Sequence, residues 1–156
     1  MKIDLRQIMI PLDQYPSITE EGSLDKAINI MTEEFKKRDK SWHNYEALLT
    51  TDSSGEVTGI LTLRSALKAT RDFKYPSLRR RLINLLFNNP FPTNNLQIKT
   101  LIQPLKSRLV NISDEFDDVI SLVLKHNFNI VLVSSNKRIV GVIRTLDLFW
   151  YIDDVI

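Results

Sequence analysis

The strongest constraint in the sequence is a stretch that occurs twice, as Gly59-Ile60-Leu61-Thr62-Leu63-Arg64-Ser65-Ala66-Leu67 and as Gly141-Val142-Ile143-Arg144-Thr145-Leu146-Asp147-Leu148-Phe149. Each copy opens on glycine and strand-type apolar bulk, turns on a polar residue and continues into a helix. The chain has only four glycines, and two of them hold this place. Thr62 suits a helix N-cap, because its hydroxyl can accept from a free N–H of the first turn. A helix start also presents unpaired N–H groups and the positive end of a dipole, which favour an anion. One strand–turn–helix leaves many folds open. Two copies predict a fold built twice.

The repetition runs through most of the chain. Ile8-Met9-Ile10-Pro11-Leu12 recurs as Leu101-Ile102-Gln103-Pro104-Leu105, and the extended piece Pro16-Ser17-Ile18 is echoed by Val110-Asn111-Ile112. Thr19-Glu20-Glu21 and Ser113-Asp114-Glu115 then place a hydroxyl and carboxylates where a starting helix uses them. The first helix carries Leu24, Ala27, Ile28, Met31 and Phe35 at helical spacing, and its counterpart Phe116, Val119, Ile120, Val123 and Leu124. His43-Asn44-Tyr45-Glu46-Ala47-Leu48-Leu49 aligns with His126-Asn127-Phe128-Asn129-Ile130-Val131-Leu132. In each, asparagine suits a left-handed helix end, and the apolar run beyond reads as a buried strand. Asp52-Ser53-Ser54-Gly55 and Ser135-Asn136-Lys137 are hairpin turns that return as strands over 56–61 and 138–143. Each half therefore reads strand, helix, strand, strand, helix. An insertion, Glu33 to Trp42, lengthens the first helix. Leu78, Leu82, Leu85 and Leu86 mark a further helix between the halves, begun at Ser77 and stopped by Asn88-Asn89-Pro90. The divisions that follow are residues 1–70 for the first repeat, 71–97 for the inter-repeat helix and loop, and 98–156 for the second repeat.

This doubled βαββα unit, with Gly-apolar-apolar-Thr-x-x-Asp closing each half, resembles a tandem pair of cystathionine-β-synthase (CBS) domains, or Bateman module. The resemblance covers nearly the whole chain apart from the insertion and the inter-repeat helix. It implies an α/β (α+β) fold in which two CBS repeats pack about a pseudo-two-fold axis, with the strands over 47–50 and 130–133 near that axis. It also implies clefts for an adenosine-type ligand such as AMP, ADP, ATP or S-adenosylmethionine, with the threonine hydroxyl and the aspartate carboxylate on ribose and phosphate. A carboxylate can accept charge-assisted bonds from two neighbouring ribose hydroxyls. Carried onto this chain, the ligand residues are Ile18, Thr62 and Ser65 in the first half and Ile112, Ile130, Arg144 and Asp147 in the second.

The family's pair of polar residues is divided between the halves. The first keeps Thr62 and has Ser65 in the aspartate's place; the second keeps Asp147 and has Arg144 in the threonine's. Thr62 and Ser65 also read as an N-cap and a first-turn hydroxyl that satisfy backbone donors. Asp147 either meets a ligand or steadies the first turn through the helix dipole. Arg144 either grips a phosphate with its fork of donors or fills the cleft and excludes a ligand. If a nucleotide binds, the expectation is the second half, with Asp147 on the ribose diol and Arg144 nearer the phosphate.

Other function classes find little support. The absence of cysteine removes disulfides, thiol catalysis and thiolate metal sites together. His43 and His126 have no carboxylate or second histidine at ligand spacing and read as helix ends, so no metal site is expected. No Ser/His/Asp or paired-carboxylate arrangement suggests an enzyme. A net charge of +2 argues for neither nucleic acid nor membrane. The Arg79-Arg80-Arg81 run, with Arg71 and Lys74, reads as the solvated face of a helix. No apolar window approaches the roughly 18 residues of a membrane span, and charges in the first six residues do not fit a signal peptide; the expected location is the cytoplasm. Leu148, Phe149, Trp150 and Tyr151 make the last helix apolar nearly all round, which predicts deep burial or a partner surface, and a homodimer. The function expected is that of a stand-alone regulatory module that senses an adenosine-type ligand and passes its occupancy to a protein partner. The alternative is a ligand-free dimerisation and interaction scaffold on the same fold.

Overall fold

The computed structural model describes residues 3–37, 47–74 and 96–155. They form two compact units, Pro16–Gln103 and a second made of residues 1–15 with 104–156. In chain order the elements are β1 (Ile10–Pro11), β2 (Ser17–Thr19), α1 (Leu24–Lys37), β3 (Ala47–Thr51), β4 (Val57–Thr62), α2 (Leu63–Lys74), β5 (Gln103–Pro104), β6 (Leu109–Asn111), α3 (Phe116–His126), β7 (Ile130–Ser135), β8 (Arg138–Arg144) and α4 (Thr145–Val155). They build two four-stranded sheets, ordered β2-β3-β4-β5 and β1-β8-β7-β6. Within each, a parallel pair bridged by a helix adjoins an antiparallel hairpin: β2 with β3 and β6 with β7 are parallel, β3 with β4 and β7 with β8 antiparallel.

The units divide the chain differently from the repeats. β1, which precedes the first repeat's helix, pairs antiparallel with β8 near the end of the chain. β5, which precedes the second repeat's helix, lies beside β4. The core follows the strands: Leu5 and Ile8 pack with Val110, Phe116, Val119, Val131 and Ile143, while Ile98 packs with Ile18, Leu24, Leu48 and Leu61.

Gly59 and Gly141 are where these edge strands arrive. A Cβ on Gly59 would stand 2.5 Å from the carbonyl oxygen of Gln103, and one on Gly141 would stand 2.9 Å from that of Ile10 and 2.6 Å from the sulfur of Met9. Only a residue without a side chain admits a neighbouring backbone so closely. Opposite each glycine the hairpin register slips, between Thr50 and Thr51 and between Val133 and Ser134. The repeated glycine therefore marks a repeated bulge.

Local capping explains the helix limits, with three corrections to the sequence reading. α1 is capped by Ser23, whose hydroxyl accepts from the Lys26 N–H at 3.2 Å; Thr19 lies in β2 instead. α3 starts after Glu115, whose N–H donates to the Asp118 carboxylate at 3.3 Å. The register makes Val110, not Ile112, the counterpart of Ile18: Ile18 stands beside Thr50 as Val110 stands beside Val133. Third, α3 buries Phe116, Val119 and Val123 but leaves Leu124 75% exposed. Leu124 follows Val123 by a turn of about 100°, enough to carry it off the buried stripe.

The end of α3 is as expected. Asn127 takes a left-handed φ of 52°, and the Phe128 N–H reaches the Val123 carbonyl at 3.1 Å. Asn136 and Lys137, at φ 49° and 63°, form a two-residue turn between Ser135 and Arg138. In the first hairpin the Asp52 carboxylate accepts from the Ser54 N–H, the Ser54 hydroxyl and the Glu56 N–H, while Gly55 takes φ 86°. The Ser54 hydroxyl foremost, with those backbone donors, holds Asp52 below its usual pKa. His43 to Glu46, the insertion beyond Lys37, the Phe35 side chain, and the inter-repeat helix with Arg79, Arg80 and Arg81 lie outside the described residues.

Candidate functional site

Each unit carries the same construction, an inner strand that ends at a polar residue from which a helix starts. In the first, β4 delivers Thr62 to the start of α2. The Thr62 hydroxyl accepts from the Ser65 N–H at 3.1 Å and donates to the Ser65 hydroxyl at 2.9 Å. The N-cap reading of Thr62 is thus met. Ser65 Oγ accepts that bond and keeps its own proton to donate. Both side chains are half-buried and neutral. The Ile18 side chain lies in the core with Leu24, Leu48 and Leu61.

In the second unit, β8 delivers Arg144 to the start of α4. Asp147, in the first turn, accepts three bonds from this one residue. Its Oδ2 takes the Arg144 backbone N–H at 2.9 Å and Nε at 2.8 Å, and its Oδ1 takes Nη2. The two side chains are only 8% and 10% exposed. The backbone bond is the capping role and the fork is a buried bidentate ion pair. With the two charges cancelled, the start of α4 offers an incoming anion much less than a bare helix end would.

Ile130 is the cross-strand partner of Arg144 in the β7–β8 ladder and is fully buried. Its carbonyl accepts from Arg108 Nη1 at 3.2 Å. Ile112 is half-buried against the core of this unit, and its N–H donates to the Ser134 carbonyl at 2.8 Å. The structure thus brings together Thr62 with Ser65, and Arg144 with Asp147 and the Ile130 strand position. Ile18 packs in the core of its unit, and Ile112 is half-buried against the core of the other.

Arg108 is a group the sequence reading missed. Its guanidinium lies 4.0 Å from the centre of the Phe128 ring, which also stacks with the His126 ring 5.1 Å away. Burial pushes its pKa below the ordinary arginine value. A lone arginine just before a strand gave no sign of this; the aromatic two places after His126 was the only available signal. Among the described residues no group of three or more His, Asp or Glu side chains could hold a metal ion, and no helix is long and apolar enough to cross a membrane.

Residues 5–72 match the family model of the CBS domain. The whole chain superposes on solved structures of the same architecture. It resembles CBSX2, whose crystal structure is a complex with AMP, at TM-score 0.69 and 16% identity over 97% of both chains. It resembles a hypothetical conserved protein from Geobacillus kaustophilus at TM-score 0.70 and 16% identity over 100% of both. A CBS domain-containing protein of unknown function from Bacillus anthracis aligns at TM-score 0.72 and 10% identity, over 99% of this chain and 95% of that one. Comparison with curated proteins found no match. The fold is that of a tandem CBS pair, or Bateman module. Residues 5–72 thus match the CBS-domain model, and the chain as a whole shares its fold with CBS-domain proteins.

Proposed function

We propose that this protein is a non-enzymatic regulatory module of the cytoplasm that binds an adenine nucleotide or related adenosine ligand and passes its occupancy to a protein partner, working as a homodimer. The observation that carries the reading is the doubled strand–turn–helix, kept intact in both units with polar side chains at each helix start. A protein of the same fold, CBSX2, is known in complex with AMP. In the second half Asp147 takes the ribose diol and Arg144 the phosphate, with Ile112 and Ile130 alongside; in the first, Thr62, Ser65 and Ile18 hold the equivalent place.

The second reading is a ligand-free interaction scaffold, and one observation favours it: Arg144 already occupies both oxygens of Asp147. Thermal-shift titration with AMP, ADP, ATP and S-adenosylmethionine separates the two. A ligand at a hundred times its Kd adds about 2.7 kcal/mol to stability, a shift on the order of 5–10 °C for a chain of this size. Asp147→Ala should remove most of that shift and Thr62→Ala should leave it nearly intact. The reverse pattern moves the site to the first half. No shift with any of the four ligands selects the scaffold.

A further inference from the structure

The helices that follow the two hairpins carry opposite charge on equivalent faces. Aligned on Gly59 and Gly141, Leu67 of α2 corresponds to Phe149 of α4, and Arg71 to Asp153. Leu67 is 63% exposed and Phe149 71%. Beside Leu67 stand Arg64 and Lys68, both exposed; beyond Phe149 the exposed charges are Asp153, a turn further on, and Asp154. Residues three or four apart share a helix face, so each bulky apolar side chain has a charged margin, basic on α2 and acidic on α4. The only acid in the α2 sequence, Asp72, is paired with its neighbour Arg71 at 3.1 Å. Neither margin suits its own helix. Among the described residues the first turn of α2 holds Arg64 and no acid, at the positive end of that helix dipole. The last turn of α4 holds Asp153 and Asp154 and no base, at the negative end. Two copies meeting like on like set base against base and acid against acid, and like charges across an interface oppose binding. Copies meeting α2 on α4 set base against acid around a Leu67–Phe149 contact.

We infer that the homodimer is joined crosswise, the α2 face around Leu67 of one copy docking on the α4 face around Phe149 of the other. The inference rests on the homodimer proposed above and names the surfaces that make it. In a closed pair the contact is made twice, once by each copy's α2. The apolar side chains supply the attraction, and the charges choose which helix meets which.

Sedimentation equilibrium of the full chain tests this on wild type, on Arg64→Glu with Lys68→Glu, on Asp153→Lys with Asp154→Lys, and on all four changes together, with circular dichroism to verify folding. Wild type should dimerise, either pair of reversals should weaken the dimer at least about tenfold, and the four together should restore affinity close to that of wild type. Like-on-like docking has a different signature: either pair of reversals exchanges one repulsion for another and leaves the dimer as tight as before. That result overturns the crosswise contact and leaves the homodimer standing. A wild type that sediments as a single chain at tens of micromolar overturns the homodimer, and the crosswise contact with it. Should the reversed chains not fold, cross-linking decides, because the chain has no cysteine of its own. Under mild oxidation a mixture of Leu67→Cys and Phe149→Cys chains should form a disulfide-linked pair that neither chain forms alone. Either chain linking to itself as fast as the mixture links overturns the crosswise contact.

Discussion

At the scale of single residues, the contrast between Thr62 and Arg144 is one of charge and burial. Thr62 and Ser65 are joined by neutral bonds, and removing the Thr62 hydroxyl costs what an N-cap costs, about 1 kcal/mol. Arg144 and Asp147 are coupled, because each keeps the other's charge compensated inside the unit. Asp147→Ala removes the carboxylate that pairs with the buried guanidinium and is expected to destabilise the fold by about 3–5 kcal/mol, whereas the double variant Arg144→Met with Asp147→Leu should recover most of that loss. Urea unfolding of the two singles and the double closes the cycle; losses that simply add would show that the pair is not coupled. The three-residue spacing of Arg144 and Asp147 is plain in the sequence. Their pairing is not, since an arginine at a helix start reaches solvent as easily as it folds back, and burial by the surrounding strands decides which.

At the scale of elements, the repeated glycine turns out to serve the sheet more than the helix that follows it. Gly59 and Gly141 face the backbones of β5 and β1, which approach closer than a methyl group permits. Replacing either by alanine should cost about 1–3 kcal/mol through overpacking against a rigid backbone, read as a lowered midpoint in chemical denaturation. A neutral or stabilising alanine would mean that the edge strand stands further off. The places where pattern reading slipped have similar causes. Thr19 has the chemistry of a cap but is drawn into β2 by pairing with Thr51, and Ser23 takes the role. Leu124 continues an apolar spacing but sits just past the edge of the buried stripe. Ile112 resembles Ile18 in sequence, yet the ladder aligns Ile18 with Val110, because hydrogen-bond register follows strand position rather than residue type.

At the scale of the whole molecule, each unit leaves apolar surface at corresponding positions on the helix that follows its hairpin. Leu67 on α2 is 63% exposed and Phe149 on α4 is 71% exposed, with Leu63 and Trp150 partly so. Tyr151, expected to join that surface, is packed against Phe116 with ring centres 5.5 Å apart. Bulky apolar residues on exposed helix faces fit the proposed homodimer. Light scattering at tens of micromolar should therefore give twice the 18.1 kDa chain mass, and Leu67→Glu with Phe149→Glu should return the single-chain value. A wild-type chain that scatters as 18.1 kDa would count against the dimer. The amino-acid sequence by itself determined the doubled architecture, the hairpins, the left-handed Asn127 and the Thr62 cap. Those features rest on local chemistry: apolar periodicity, turn residues with positive φ, and hydroxyls that reach first-turn N–H groups. Only the tertiary structure decided that β1 closes the sheet of β8 and β5 that of β4, and that Asp147 is spent on Arg144. Similarity between repeats marks equivalent segments without saying which edge each will pair with, and a charge's partner is set by what the fold shuts away from water.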